Sequence, residues 1–249
     1  MDIKKEDFKP IKNDPPVDFI SKIKFLLRLL LDFQTLTLYN DLRKFLNDKK
    51  GNLLDIGCGN SPYEHLVNKN CKYIGIDIKN QSDFDYDNKK ISYFNGSDIA
   101  IENNSINSFI CTEVLEHVFD PKKLISEMER VLIKNGSGLI SIPWSARYHY
   151  IPYDFYRYTP SALNILFKTF REVRIKPRGS DITVICSKII VSIAGTFRSC
   201  TGIGLLFIPI IILIAIPIVT LCLIIGHLSI ILNLGSKNDP LGYTIYLSK

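Results

Sequence analysis

The sequence predicts an α/β fold, a doubly wound and mostly parallel sheet covered by helices on both faces. Three observations carry that expectation. From residue 52 onward short apolar runs alternate with amphipathic stretches, the rhythm of consecutive βαβ units. The first run closes on Gly57-Cys58-Gly59, where residues without a Cβ let the backbone turn sharply. The last run, residues 242–247, alternates as a final strand does.

Taken in order, residues 17–46 are apolar with helical spacing, punctuated by Lys22, Lys24, Arg28 and Asp32, and predict one or two helices. Residues 52–56 are a short apolar run and predict a buried strand. Ser61-Pro62-Tyr63-Glu64 reads as a capping box with proline at the first helical position, so a helix is expected to start there. Residues 72–77, 91–95 and 106–112 predict the second, third and fourth strands. Asp120-Pro121 caps a helix expected to reach about Lys134, with Leu124, Met128, Val131 and Leu132 on one face and Asn135-Gly136 ending it. Residues 138–143 predict the fifth strand, Thr159-Pro160 caps another helix, and residues 172–176 predict the sixth strand. In such sheets ligands bind outside the carboxyl ends of the strands, where the winding reverses.

The chain of 249 residues is long enough for one well-buried domain with an embellishment. The net charge of +6 comes without a dense Lys/Arg block, which argues against a nucleic-acid groove. The basic excess gathers at Lys168, Arg171, Arg174, Lys176, Arg178, Lys188 and Arg198, a placement suited to an anionic membrane surface. The six cysteines include no CxxC pair and no histidine sits at zinc spacing, so reduced thiols and no metal are expected. Residues 1–16 are polar and charged, unlike a secretory signal.

The most informative stretch is Leu53-Leu54-Asp55-Ile56-Gly57-Cys58-Gly59-Asn60-Ser61. Its glycines permit close approach to a ligand, and the expected following helix would aim free N–H groups at a carboxylate. Asp77 ends the second strand 22 residues after Asp55, where an acid can accept both hydroxyls of a ribose. The third glycine of a dinucleotide fingerprint would fall at position 62, which is Pro62, and this counts against NAD.

LLDIGCGNSPY, YIGIDI, SDIA and CTEVLEHVFDPKKLISEMERVLIKNGSGLISIP, in that order, resemble the class I S-adenosylmethionine-dependent methyltransferases. The nearest subgroup is the small-molecule one that includes quinone- and glycan-modifying members, and the resemblance covers about residues 50–143. It implies a Rossmann-like sheet of seven strands with S-adenosyl-L-methionine as cofactor. By matching motif, Asp55, Gly57, Cys58 and Gly59 would surround the methionine part of the cofactor. Asp77 would bind the ribose hydroxyls with Ile78 beside the adenine. Asp98 would reach the adenine amino group with Ile99 on the ring, and Glu113 and Val114 would lie near the sulfonium. Asn135-Gly136-Ser137-Gly138 replaces the usual Pro-Gly-Gly turn. The chain is expected to divide into a helical lid or interfacial segment over 1–48, a cofactor-binding domain over 49–179, a hydrophobic membrane-associated insertion over 180–239 and the last strand of the sheet over 240–249.

Residues 144–158 crowd aromatic and polar side chains into a loop too long for a simple connection. His149 and Asp154 are candidates to take a proton from an acceptor hydroxyl, and His117 faces either the pocket or the neighbouring helix. Arg147 and Arg157 are candidates to hold a phosphate or carboxylate, with Tyr148, Tyr153 and Tyr156 as further substrate contacts. Alternatively the tyrosines only pack the loop onto the sheet.

From Ser199 to Ser236 there is no Asp, Glu, Lys or Arg, and 21 of the 30 residues over 203–232 are Ile, Leu, Val or Phe. At roughly 0.3–0.6 kcal/mol each near the bilayer centre, these favour insertion by an upper bound of about 6–12 kcal/mol. A last strand returning to the sheet requires an even number of crossings. Pro209, Pro217 and Gly226 offer bends, so a re-entrant hairpin or a pair of membrane-embedded helices is expected. The whole reading is a monotopic, cytoplasm-facing methyltransferase with a lipid-linked or membrane-partitioning acceptor, a sugar or a quinone precursor. A soluble acceptor with a passive anchor, or a cofactor-binding scaffold without activity, stays open.

Overall fold

A computed structural model of the chain describes residues 13–78, 91–199, 201–202, 206 and 208–249. Seven strands are present: β1 (Gly51–Ile56), β2 (Cys71–Ile78), β3 (Ser92–Phe94), β4 (Ile106–Thr112), β5 (Leu132–Pro143), β6 (Glu172–Arg178) and β7 (Gly242–Ser248). They form one sheet in the order β3-β2-β1-β4-β5-β7-β6. The first five run parallel, and β7 runs antiparallel between β5 and β6. The winding reverses between β1 and β4, which opens a crevice at their carboxyl ends.

The expected N-terminal helices are α1 (Phe19–Leu31) and α2 (Phe33–Leu46). They are separated at Asp32, whose carboxylate caps α2 by accepting from the N–H groups of Gln34 and Thr35. Leu38, Leu42, Phe45 and Leu46 repeat at helical spacing and cover one sheet face at Leu53, Ile110 and Leu139. Each such side chain contributes about 1.5–3 kcal/mol on full burial. The opposite face is covered by α3 (Pro121–Val131) and α4 (Pro160–Leu166), through Leu124, Ile125, Met128 and Leu163.

Two local expectations are corrected. The helix expected at Ser61 is a single 3-10 turn, Glu64–Leu66, and Ser61 itself adopts a left-handed φ of 56° rather than a capping conformation. The reason is spatial, since α2 already fills that face of the sheet and Tyr63, Leu66 and Val67 pack against it. The helix after Asp120 ends at Val131 rather than Lys134, and β5 begins at once with Leu132. Pairing then jumps from Ile106↔Leu132 to Ser108↔Ser137, so the Asn135-Gly136 turn sits inside an irregular strand.

The apolar tract forms one continuous helix, α6 (Ile208–Ile231), rather than a hairpin within itself, and α6 pairs with α5 (Asp181–Ser199) ahead of it, both lying between β6 and β7 in the chain. Residues 203–205 and 207 of the expected tract lie outside the described residues. α6 has 24 residues, about 36 Å at 1.5 Å per residue, enough to cross a hydrocarbon core of about 30 Å. Only 11% of its most apolar window is buried. The prolines do not divide it, for Pro209 falls in the first turn and the helix continues through Pro217. Its buried positions are the small residues Ala215, Cys222, Gly226 and Ser229. Gly226 is no hinge: a Cβ there would lie 2.2 Å from the Phe33 ring, so glycine permits the approach of α2.

Within the basic cluster ahead of the tract, of the described side chains only Arg178 turns inward, against Glu113. Lys168, Arg171, Arg174 and Lys176 stay exposed, with Lys176 reaching the buried Asp41 and Arg174 stacking on Tyr246.

Candidate functional site

A cavity of about 850 Å³ opens at the carboxyl ends of β1, β2 and β4. Its floor is the loop after β1. Gly57 and Gly59 have φ of 69° and 54°, and a Cβ on Gly57 would lie 2.4 Å from Val114. Only a residue without a side chain keeps both the turn and that contact. The loop's N–H groups are largely engaged within the protein. Those of Gly57 and Cys58 donate to the Ile76 carbonyl, that of Gly59 to Asp77 Oδ2 at 2.7 Å, and that of Ser61 to the Cys58 carbonyl. With no helix behind it, this loop is not the dipolar carboxylate cradle expected from the sequence.

Asp55 is buried in the cavity wall. The Tyr73 hydroxyl donates to its Oδ2 at 2.7 Å, while Oδ1 has no partner among the described residues. Burial raises its pKa to about 7, against the lowering effect of the Tyr73 bond. Asp77 Oδ1 accepts from the Ile78 N–H at 2.7 Å, and burial raises this acid too. Ile78, Glu113 and Val114 line the same cavity.

Glu113 has a left-handed φ of 53°, which places it at the cavity edge just past β4. Its Oε1 accepts from Ser141 Oγ at 2.8 Å and from Arg178 Nη2 at 2.7 Å. Arg178 is 2% exposed, donates also to the Gln34 carbonyl at 3.1 Å, and among the described residues has no partner for Nε.

Asp98 and Ile99 are placed differently from the expectation. Asp98 is exposed and pairs with Lys123 at 2.8 Å, which with Asn95 holds its pKa at about 2. Ile99 turns into the core, and its N–H donates to Glu127. Neither lines the cavity, whereas the preceding Phe94, Asn95, Gly96 and Ser97 do.

His117 and His149 meet in the cavity wall, rings edge-on with centroids 5.0 Å apart. Burial lowers the His117 pKa. Asp154 does not line this cavity, because two Arg157 nitrogens clamp its carboxylate and the His149 N–H donates to it. Burial raises the Asp154 pKa, but the Arg157 and His149 contacts hold it below the ordinary value. Tyr148, Tyr156 and Arg157 border a separate shallow hollow of about 260 Å³. Tyr153 is exposed and reaches the site only through its carbonyl, and Arg147 is likewise exposed outside the cavity wall. Arg157 and Asp154 are therefore struts of the loop.

Sequence reasoning missed the wall supplied by the α1–α2 corner, Arg28, Asp32, Gln34 and Thr35, and by Arg178. Asp32 was legible as a helix cap; that it faces a cavity depends on where α2 lies.

Residues 54–140 match the methyltransferase domain family. The uncharacterized protein MJ0638 of Methanocaldococcus jannaschii is 30% identical over 130 residues, which are 51% of this chain and 56% of that one. The chain thus matches about half the length of that relative. Among solved structures, a SAM dependent methyltransferase from Archaeoglobus fulgidus superposes with a TM-score of 0.53 at 18% identity, covering 93% of this chain and 100% of that one. Haemonchus contortus phosphoethanolamine N-methyltransferase 2, in complex with phosphomonomethylethanolamine and S-adenosylhomocysteine, gives 0.50 at 14% identity, over 85% of this chain and 52% of that one. The [4+2]-cyclase SpnF gives 0.52 at 14% identity, over 87% and 82%. At these identities the structural likeness is one of fold.

Proposed function

The chain carries a class I S-adenosylmethionine-dependent methyltransferase domain, and from that premise we propose that it methylates a lipid-linked or membrane-partitioning acceptor while held on a membrane. The observation that supports the acceptor class is where the cavity lies. Its wall includes the α1–α2 corner, and that corner packs on α6 through His227 Nε2 and the Leu30 carbonyl at 2.9 Å and through Phe33 against Gly226. Beside it α1 buries none of its residues and exposes Phe19, Ile20, Leu26, Leu27 and Leu30. An apolar surface continuous over two helices is the mark of a lipid or partner contact. Covering those five side chains with lipid favours association by on the order of 5 kcal/mol. The cavity then shares an edge with the membrane-facing surface, and an acceptor dissolved in lipid reaches it laterally.

The residues present fit the cofactor. The unpartnered Oδ1 of Asp55 is a buried acceptor suited to the ammonium of the methionine part, and Asp77 and the glycine turn suit the ribose. Arg28, which lies 3.8 Å from Asp32 in the cavity wall, is the cation suited to meet the cofactor carboxylate in place of a helix N-terminus. Bound there, S-adenosylmethionine supplies an electrophilic methyl carbon on a positive sulfur. The chain's own part is positioning, which accounts for effective molarities of about 10⁵ M or more in well-oriented reactions. Glu113, tethered by Arg178 and Ser141, keeps negative charge beside the cationic donor. His117 and His149 are the side chains on the acceptor side.

The test is transfer of radiolabelled methyl from S-adenosylmethionine into lipid extracts and, in parallel, into water-soluble metabolites, using the full chain in proteoliposomes. Label in the lipid fraction is expected. Label only in soluble products would favour the passive-anchor reading, and label in neither would leave a binding scaffold.

A further inference from the structure

Glu116 is fully buried, and among the described residues no side chain hydrogen-bonds either of its carboxylate oxygens. An isolated buried carboxylate is among the costliest arrangements a protein interior can hold, so such groups pair with a cation or take up a proton. Among the described residues no Lys or Arg is ion-paired with it, and the nearby Arg157 is committed to Asp154.

The groups that do face Glu116 are imidazoles. His117 Nε2 lies 3.7 Å from Glu116 Oε1, and the His149 ring meets the His117 ring edge-on. One ligand atom from each of the three residues lies within 4.8 Å of the others. Both rings are oriented from behind: His117 Nδ1 is 2.8 Å from the Tyr153 carbonyl, and His149 Nδ1 is 2.9 Å from the Arg147 carbonyl. A carbonyl only accepts, so each Nδ1 carries the proton and each Nε2 keeps its lone pair. His149 Nδ1 also lies 3.1 Å from Asp154, which Arg157 clamps. Second partners of this kind are what fix the tautomer of a metal-binding histidine.

We propose that Glu116, His117 and His149 bind one divalent transition-metal cation on the acceptor side of the cavity. Two imidazoles and one carboxylate favour zinc, iron, cobalt or manganese over magnesium and calcium, which prefer all-oxygen sites. Bonds of about 2.0–2.2 Å require the three side chains to close in by about an ångström. Three protein ligands leave a coordination position open, and His117 and His149 direct it into the cavity. A hydroxyl is the acceptor group suited to that position, because a bound cation lowers its pKa. This last point rests on the methyl-transfer reading; cation binding itself does not. The sequence concealed the site because 32 residues separate His117 from His149.

The experiment uses the full chain in detergent, stripped with chelator and dialysed, then titrated calorimetrically with zinc chloride and, separately, with cobalt chloride followed by visible absorption. One equivalent of zinc is expected, with cobalt bands free of thiolate charge transfer. Glu116→Gln and His149→Ala are each expected to weaken binding at least about 100-fold, with cooperative thermal melting retained as the check of folding. No binding by the folded wild type, wild-type affinity in both folded variants, or a thiolate band placing the metal on a cysteine would overturn the proposal. Metal binding without methyl transfer to any acceptor would instead sink the functional reading and leave the site standing.

Discussion

Arg178 Nη2 lies 2.7 Å from Glu113 Oε1, tying the end of β6 to the turn after β4 across the cavity wall. Glu113→Ala leaves a buried guanidinium whose Nε already lacks a partner. Breaking a buried pair in this way costs about 3–5 kcal/mol. Thermal melting of the variant is expected roughly 10 °C below the wild type, with partial recovery in Glu113→Gln, which keeps an acceptor. A change no larger than that of a surface substitution would mean that the pair does not hold the wall.

The raised pKa of Asp55, about 7, links both stability and donor affinity to pH. A carboxyl whose folded-state pKa exceeds its unfolded value favours the fold below the unfolded value, and this contribution is lost as pH rises through about 7. The ionised form is the one that pairs with an ammonium group. Affinity for S-adenosylhomocysteine, measured by calorimetry, is therefore expected to rise as pH increases through 7, while the contribution of Asp55 to ligand-free stability declines. Asp55→Asn should flatten both trends. An affinity independent of pH in the wild type would remove Asp55 from the binding site.

Asp77 accepts from Gly59 and Ile78 and lines the cavity. Loss of a charged hydrogen-bond acceptor costs about 1.5–3 kcal/mol, so Asp77→Ala should weaken S-adenosylhomocysteine roughly 10- to 150-fold. Unchanged affinity would show that the ribose lies elsewhere.

Gly226 is the point where α6 meets α2. Gly226→Leu drives a side chain into the Phe33 ring, and overpacking of this kind costs about 1–3 kcal/mol. Phe33→Ala combined with it should restore part of the melting temperature by making room. A double variant no better than the sum of the two single changes would show that the helices do not meet there.

Leu26→Glu with Leu30→Glu places two charges on the exposed face of α1. Retention on liposomes by flotation is expected to fall at least about tenfold, without change in the fold by circular dichroism. Equal retention would assign membrane contact to the α5–α6 pair alone.

Much of the fold was legible because strand and helix periods are local. The fourth strand, 106–112, was bounded from its pattern alone, and the β1 loop was located by its glycines. The helix expected at Ser61 failed for a non-local reason, the occupation of its place by α2. Asp98 matched a motif yet points outward, because Lys123 on α3 offers it a partner at the surface. His149 and Asp154 both read as proton acceptors, and only the loop's folding showed that Arg157 takes up the acid.

By itself the sequence determined the alternation of strands and helices, the position of the cofactor loop and the existence of a charge-free apolar tract. Each follows from the order of apolar, polar and glycine residues along the chain, which sets local conformation and which faces must be buried. The tertiary structure alone decided that Arg178 faces inward, that the α1–α2 corner walls the cavity beside α6, and that Glu116, His117 and His149 converge. Those outcomes depend on which distant side chains meet when the sheet closes, and pairing energies across such separations leave no periodic trace in the chain.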